Sequence, residues 1–292
     1  MPSLMVDLDQ PRKKAAAAMR ASLAEELWRR NEAFVDHLRK LVAEHPMSHH
    51  PAIAVLNEGQ LNGHAMRAIH LEYRHAVVQI FTDALLAAQL QTRQLEPRLR
   101  PGSKLAPRFL LTLNDLDEFG FRPGLDAEGY YRGNPAYGHY PLFERVLDDY
   151  GVSMLERQTH APSSAARSVR EFLEHSYGNY LDVSVLLAVA EEEIILLSSA
   201  MRQATRAVGI DVSDGYYYAR SASQDQTVEA GTDEHENDLW LILTQALTPD
   251  QYPRVQALCM RYCDLWANFW THQLAMAHAT SHSGASAWAR AV

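Results

Sequence analysis

Residues 183–200 read VSVLLAVAEEEIILLSSA, an apolar run interrupted by Glu191, Glu192 and Glu193. A run that is apolar around most of a helical circumference belongs in the interior of a helical protein, and a carboxylate buried there costs several kcal/mol unless it is protonated, paired or bound to a cation. The run therefore predicts a central helix with at least one acid that needs a partner. On a helical wheel Glu192 falls with Val185, Val189, Leu196 and Ser199, and Glu193 with Leu186, Val189, Leu197 and Ala200. Glu191 shares its side with Ser184 and Ser198, which points it toward water. Glu192 is taken as the principal inward candidate and Glu193 as its reserve.

Working outward, the other long segments repeat apolar residues with the helical rather than the alternating period. Helices are expected at 15–44, 60–92, 104–118, 140–150, 163–177, 180–207, 225–247 and 249–280, separated by breaks at His45-Pro46, Pro97–Pro101, Gly120–Tyr140 and Gly209–Gly215. The chain reads as all-α: a helical extension over 1–44 packed on a bundle, a single helical domain over 45–279, and a flexible tail over 280–292. The stretch FGFRPGLDAEGYYRGNPAYGHYP is too long for an ordinary connection, and such loops are often functional.

Composition narrows the function. The 292 residues are 47% hydrophobic and 22% charged, enough for one large core, and the net charge of −9 with a single basic cluster, Arg12-Lys13-Lys14, argues against a nucleic-acid surface. No apolar stretch reaches the roughly 18 residues of a membrane span, and the N-terminus lacks the apolar core of a signal peptide. Cys259 and Cys263, four residues apart on an expected helix with no second pair at zinc spacing, read as two buried thiols. A reduced, cytoplasmic protein without membrane contact follows, with a homodimer as the default assembly.

Acids and histidines recur where the helices face inward. Glu72 and His75 stand at i and i+3 in LNGHAMRAIHLEYRHAVVQIF, a spacing that lets both reach one site and that di-iron bundles use. NDLDEFG places Asp115, Asp117 and Glu118 near a helix C-terminus, where the macrodipole disfavours negative charge. His139 stands at the start of the next helix. TVEAGTDEHENDLWLILTQAL crowds five acids around His235, which shares a face with Leu239 and Ile242, while Glu229, Asp233 and Glu236 form the adjacent stripe.

This order of features resembles the heme-oxygenase-like all-α fold, the superfamily of thiaminase II (TENA-type) proteins, pyrroloquinoline quinone synthase and the heme-oxygenase-like di-iron oxidases. HHPAIAVLNEGQLNGHAMRAIHLEYRHAVVQIF looks like the family's first core helix with its approach, and NDLDEFG followed by HYPLFERVLDDYG is similar to the oxidases' acid-before-glycine and helix-heading His. The resemblance spans roughly residues 45–275. It implies Glu118 and His139 as metal ligands, Glu192 or Glu193 as the central carboxylate, and Glu72 as a bridging acid. The oxidases' last ligand helix carries His-x3-Asp-x2-His. Here the frame ending at His235 reads Val228, Thr232, His235, so the resemblance implies His235 as a metal ligand with two of the three missing, and the neighbouring frame, Glu229, Asp233, Glu236, adds Asp233 to the implied set. The implied activity is an oxidase or oxygenase that uses O2 with one or two Fe(II) ions, or Mn, on a small polar organic or amino-acid-derived metabolite, with Glu192 and Glu118 at its catalytic centre. Tyr131, Tyr217 and Arg220 are the candidate substrate contacts. The alternatives are a cofactor-independent oxidase or TENA-type hydrolase on the same fold, and a non-catalytic helical binding protein.

Overall fold

The structure, a computed structural model, describes the backbone of residues 11–122, 132–219 and 233–288, with side chains except at 122, 132, 233–237 and 280–288. Helix α10 (Tyr180–Ala207) is the axis of the bundle, about 42 Å long at 1.5 Å per residue. It starts at Asn179, whose side chain accepts from the Asp182 amide, and residues 183–190 are buried on every side, while beyond them one face is buried. Around it pack α3 (Pro51–Asn57), α5 (Phe81–Gln91), α11 (Asp233–Ala246) and α12 (Tyr252–Trp288). Leu186, Val189, Leu197, Trp240, Trp266 and Trp270 are core residues. Cys259 and Cys263 are both buried and free.

The N-terminal helix expected over 15–44 is two helices, α1 (Pro11–Arg20) and α2 (Glu25–Glu44). The Ser22 hydroxyl donates to the Met19 carbonyl and ends the first of them. Helix α1 packs on α6 (Leu105–Glu118), and α2 on α11 and α12. The single helix expected over 60–92 is likewise divided into α4 (Gly63–Tyr73), a π-helical turn at Arg74–Val78, and α5. Such turns admit one extra residue and re-aim side chains, and they are frequent at functional sites. Two short helices escaped the sequence pattern, α3 and α8 (Met154–Thr159), both under two full turns in length. Helix α9 (Ser164–Glu174) starts at the N-cap Ser163, and the last helix runs on to Trp288, beyond the expected end at 280.

The long connection between α6 and α7 (His139–Asp149) is closed by a two-residue antiparallel ladder, Phe121 opposite Gly133 and Arg122 opposite Arg132. Among the described residues no helix is long and apolar enough to cross a membrane.

Candidate active site

The connection brings the end of one helix against the start of another. Helix α6 ends at Glu118, and Gly120 follows at φ +79°, a left-handed conformation that glycine adopts without strain. The Asn134 amide donates to the Gly120 carbonyl at 3.3 Å and Tyr137 N–H returns to Asn134 at 2.8 Å, forming a 3-10 turn (Pro135–Tyr137) that delivers the chain to His139. The backbones approach so closely that a Cβ on Gly120 would lie 2.6 Å from the Gly138 nitrogen. This clasp sets the Glu118 Oε1 to His139 Nδ1 distance at 2.8 Å, with Asp117 Oδ2 at 3.7 Å from His139 Nε2. His139 is 2% exposed. Neither nitrogen of His139 makes a hydrogen bond of normal geometry among the described residues.

One turn earlier, Asp115 is buried and accepts from the Gln89 side chain. Burial pushes its carboxyl up to about 7, the Gln89 bond working against this and Glu118 adding to it. Its Oδ1 has no hydrogen-bond partner among the described residues.

Glu118 and His139 head a small pocket of about 10 Å³, room for one water molecule, whose walls include Tyr73, Val77, Val78, Phe81, Ile194 and Tyr216. The π turn supplies the two valines. Tyr73 connects this pocket to the central helix, because its hydroxyl donates to Glu193 Oε2 at 2.9 Å. Trp270 Nε1 donates to Glu193 Oε1 at 2.7 Å. The rings of Phe143, Trp266, Phe269 and Trp270 lie about Tyr73 with centroids 5.9–6.3 Å away.

The inward glutamate is thus Glu193, fully buried, and the order expected for the triplet is corrected. All four residues on its stripe, Leu186, Val189, Leu197 and Ala200, are buried, whereas Leu196 and Ser199 on the Glu192 stripe are half-buried and exposed. Glu192 instead accepts from Trp240 Nε1 at 2.9 Å, at the contact with α11. Glu72 is committed elsewhere: it accepts from the backbone and hydroxyl of Ser163, the latter at 2.5 Å, and lies 3.0 Å from His160 Nε2. It holds the start of α9 and does not line the pocket, because the helix turns one residue further to put Tyr73 there. His75 is half-buried, its pKa lowered to about 4 by burial and then by Arg170. Tyr217 is buried, and its hydroxyl donates to His70 Nε2 at 2.6 Å while His70 Nδ1 donates to the Met66 carbonyl at 2.7 Å. Tyr131 and Arg220 lie outside the described residues, as do the side chains of Asp233 and His235, whose backbone opens α11. Among the described residues no three His, Cys, Asp or Glu side chains converge as a metal-binding group.

Tyr73 and Trp270 were not singled out by sequence, whereas Asp115 stood among the acids set against the helix dipole and Tyr216 in a tyrosine run marked as a pocket lining. Tyr73 carried a signal, since it continues the inward positions Met66 and Ile69 and precedes Val77 by one turn.

The fold is shared with solved structures. A CADD-like protein of unknown function from Nostoc punctiforme PCC 73102 superposes with a TM-score of 0.58 at 14% identity, covering 85% of this chain and 98% of that one. The chain has the heme-oxygenase-like fold. A TenA homolog from Pseudomonas syringae pv. tomato str. DC3000 aligns with this heme-oxygenase-like chain at a TM-score of 0.57 and 12% identity, over 83% of this chain and 91% of that one. No family model and no curated protein matches the sequence. At these identities the likeness establishes the fold, and activity has to be argued from the site.

Proposed function

We propose that this heme-oxygenase-like chain is a non-heme iron, O2-activating oxidase or oxygenase of a small polar organic or amino-acid-derived metabolite. The observation that carries the reading is His139. It is a buried imidazole that makes no normal hydrogen bond at either nitrogen among the described residues, beside a buried carboxylate, at the head of a pocket the size of one water molecule. An imidazole so placed invites a cation, and a mixed nitrogen and carboxylate set suits Fe(II) or Mn(II) better than structural zinc. Glu118 and His139 would hold the ion, with further donors needed to complete its shell. Bound iron would supply the activation of O2.

The rest of the chemistry falls to the protein. Val77, Val78, Phe81 and Ile194 wall the pocket with apolar surface and exclude bulk water. Asp115, its carboxyl pushed up by burial to about 7, is able to take up or release a proton one turn behind Glu118. Tyr73 presents its ring to the pocket and its proton to Glu193.

The test is metal loading. Apoprotein incubated anaerobically with Fe(II) is expected to retain about one ion per chain, and H139A and E118Q to lose most of it. Wild-type retention below about 0.2 ion per chain would remove the iron reading. A second reading, metal-free proton transfer by the Glu118–His139 pair, is favoured by one observation: each Glu193 oxygen already receives a protein donor. Under it, activity survives exhaustive chelation.

A further inference from the structure

The outer side of α5 and α6 is apolar where a solvent face is ordinarily polar. On α5, opposite the buried Ala84, Leu85 and Ala88, the stripe reads Asp83, Leu86, Leu90, and Arg93 continues it in the 3-10 turn Thr92–Leu95. On α6, opposite the buried Leu110, Leu111 and Asn114, it reads Leu105, Phe109, Thr112 and the half-buried Leu116. Leu86, Leu90, Leu105 and Phe109 are 38–62% exposed. The two helices pack on each other, so the stripes form one surface. Single exposed leucines need no explanation, but a contiguous apolar patch marks an interaction site.

The order of residues along each stripe names the occupant. On α5 the sequence acid, Leu, Leu, base at 83, 86, 90 and 93 is evenly spaced about its midpoint and opposite in charge at its two ends. Antiparallel pairing with a second copy sets Leu86 against the partner's Leu90 and Asp83 against the partner's Arg93, and two-fold symmetry makes each contact twice. A parallel pairing would instead bring like charges together. On α6 the same operation sets Leu105 against the partner's Leu116 and Phe109 against the partner's Thr112. The midpoints of the two stripes lie at one level, because Arg108 Nε donates to the Gln89 carbonyl at 3.0 Å and the Gln89 side chain donates to Asp115. One two-fold axis lying across both helices therefore serves both. The charged ends are available for it. Asp83 and Arg93 are exposed, and among the described residues Asp83 makes no ion pair and Arg93 makes one bond, to Gln91 at 3.3 Å.

We infer that this face of α5 and α6 is the interface of a two-fold dimer of the chain, with Asp83 paired to the partner's Arg93 at each end. The inference does not rest on the chemistry proposed for Glu118 and His139.

Sedimentation equilibrium of the full chain at low salt tests it. Wild type is expected to be a dimer at about 20 μM, and L86E/L90E a monomer. D83R and R93D each bring like charges together at both ends and are expected to raise Kd at least about tenfold. The combined D83R/R93D restores opposite charges and is expected to return Kd to within about threefold of wild type. The substituted positions are exposed, and helical circular dichroism checks the fold of each variant; the charge swaps decide the matter should L86E/L90E fail that check. A monomeric wild type would overturn the inference, whether the face is covered by another segment of this chain or by a different protein. So would a dimer whose Kd is unmoved by L86E/L90E and by both single swaps, since it uses another face. Failure of D83R/R93D to recover the affinity lost in the single variants would overturn the antiparallel pairing.

Discussion

The carboxylate of Glu193 and the indole of Trp270 meet at 2.7 Å in the middle of the bundle, where helix α10 crosses α12. With Tyr73 on the other oxygen, a fully buried acid receives donors from two further helices. Desolvating a carboxylate is tolerable on these terms, because charge-assisted hydrogen bonds replace those lost from water.

Removing one of those donors is therefore expensive. W270F and Y73F are each expected to lower unfolding free energy by about 1–3 kcal/mol, measured by urea denaturation. E193Q should cost at least as much as either, since its amide group turns a donor toward a donor. An unchanged midpoint in all three variants would show that the buried acid is held by something other than these two bonds.

His70 makes the fold sensitive to mild acid. Burial pushes its imidazole down to about 4 from 6.5, with the Met66 bond acting weakly in the other direction. Between those values the unfolded chain binds a proton that the folded chain does not, so stability falls as pH drops from 6.5 toward 4. The loss is on the order of 3 kcal/mol at the lower end. H70Q is expected to flatten that slope, as followed by denaturant midpoints across the range.

Asp115 works in the opposite direction. Its folded pKa is raised from 3.8 to about 7, so the folded chain holds a proton that the unfolded chain releases, and stability falls as pH rises through this window. D115N keeps an acceptor for Gln89 and removes the buried charge. In metal-free protein at pH 8 it should gain on the order of 1–3 kcal/mol after screening is allowed for, and match wild type near pH 4.

Glu72 has a depressed pKa: burial raises it, but His160 and Ser163 together outweigh burial. It contributes stability above the ordinary carboxylate range near 4.5 that is lost as pH falls through its lower folded value. E72Q should flatten this acid limb while weakening the start of α9, seen as faster amide exchange at Ala165 and Ala166.

Gly120 controls the clasp. In G120A the new methyl meets the backbone of Asn134, Tyr137 and Gly138 within 2.7 Å, at a positive φ that alanine resists. A loss of about 2 kcal/mol or more is expected, with His139 displaced from Glu118. Modification of His139 by diethyl pyrocarbonate reports the displacement.

Most of the architecture was readable from the chain alone. Period-3.6 patterning placed the long helices, and the run Val183–Ala200, apolar around most of its circumference, read as a central helix. Pattern also marked Glu118 and His139, because acids against a helix dipole and a His at a helix start are local facts. The glutamate triplet shows where local information ends. Three adjacent carboxylates point three ways by 100° steps, and the choice of Glu193 over Glu192 depended on which neighbours arrived, Trp270 and Tyr73 on one side and Trp240 on the other. Glu72 has the spacing of a ligand, yet the π turn and the start of α9 make it a structural clamp. Sequence periodicity decides which face of a helix is apolar. Only the packing of distant helices decides which donor meets which acid, since that requires coordinates from residues as far apart as Tyr73, Glu193 and Trp270.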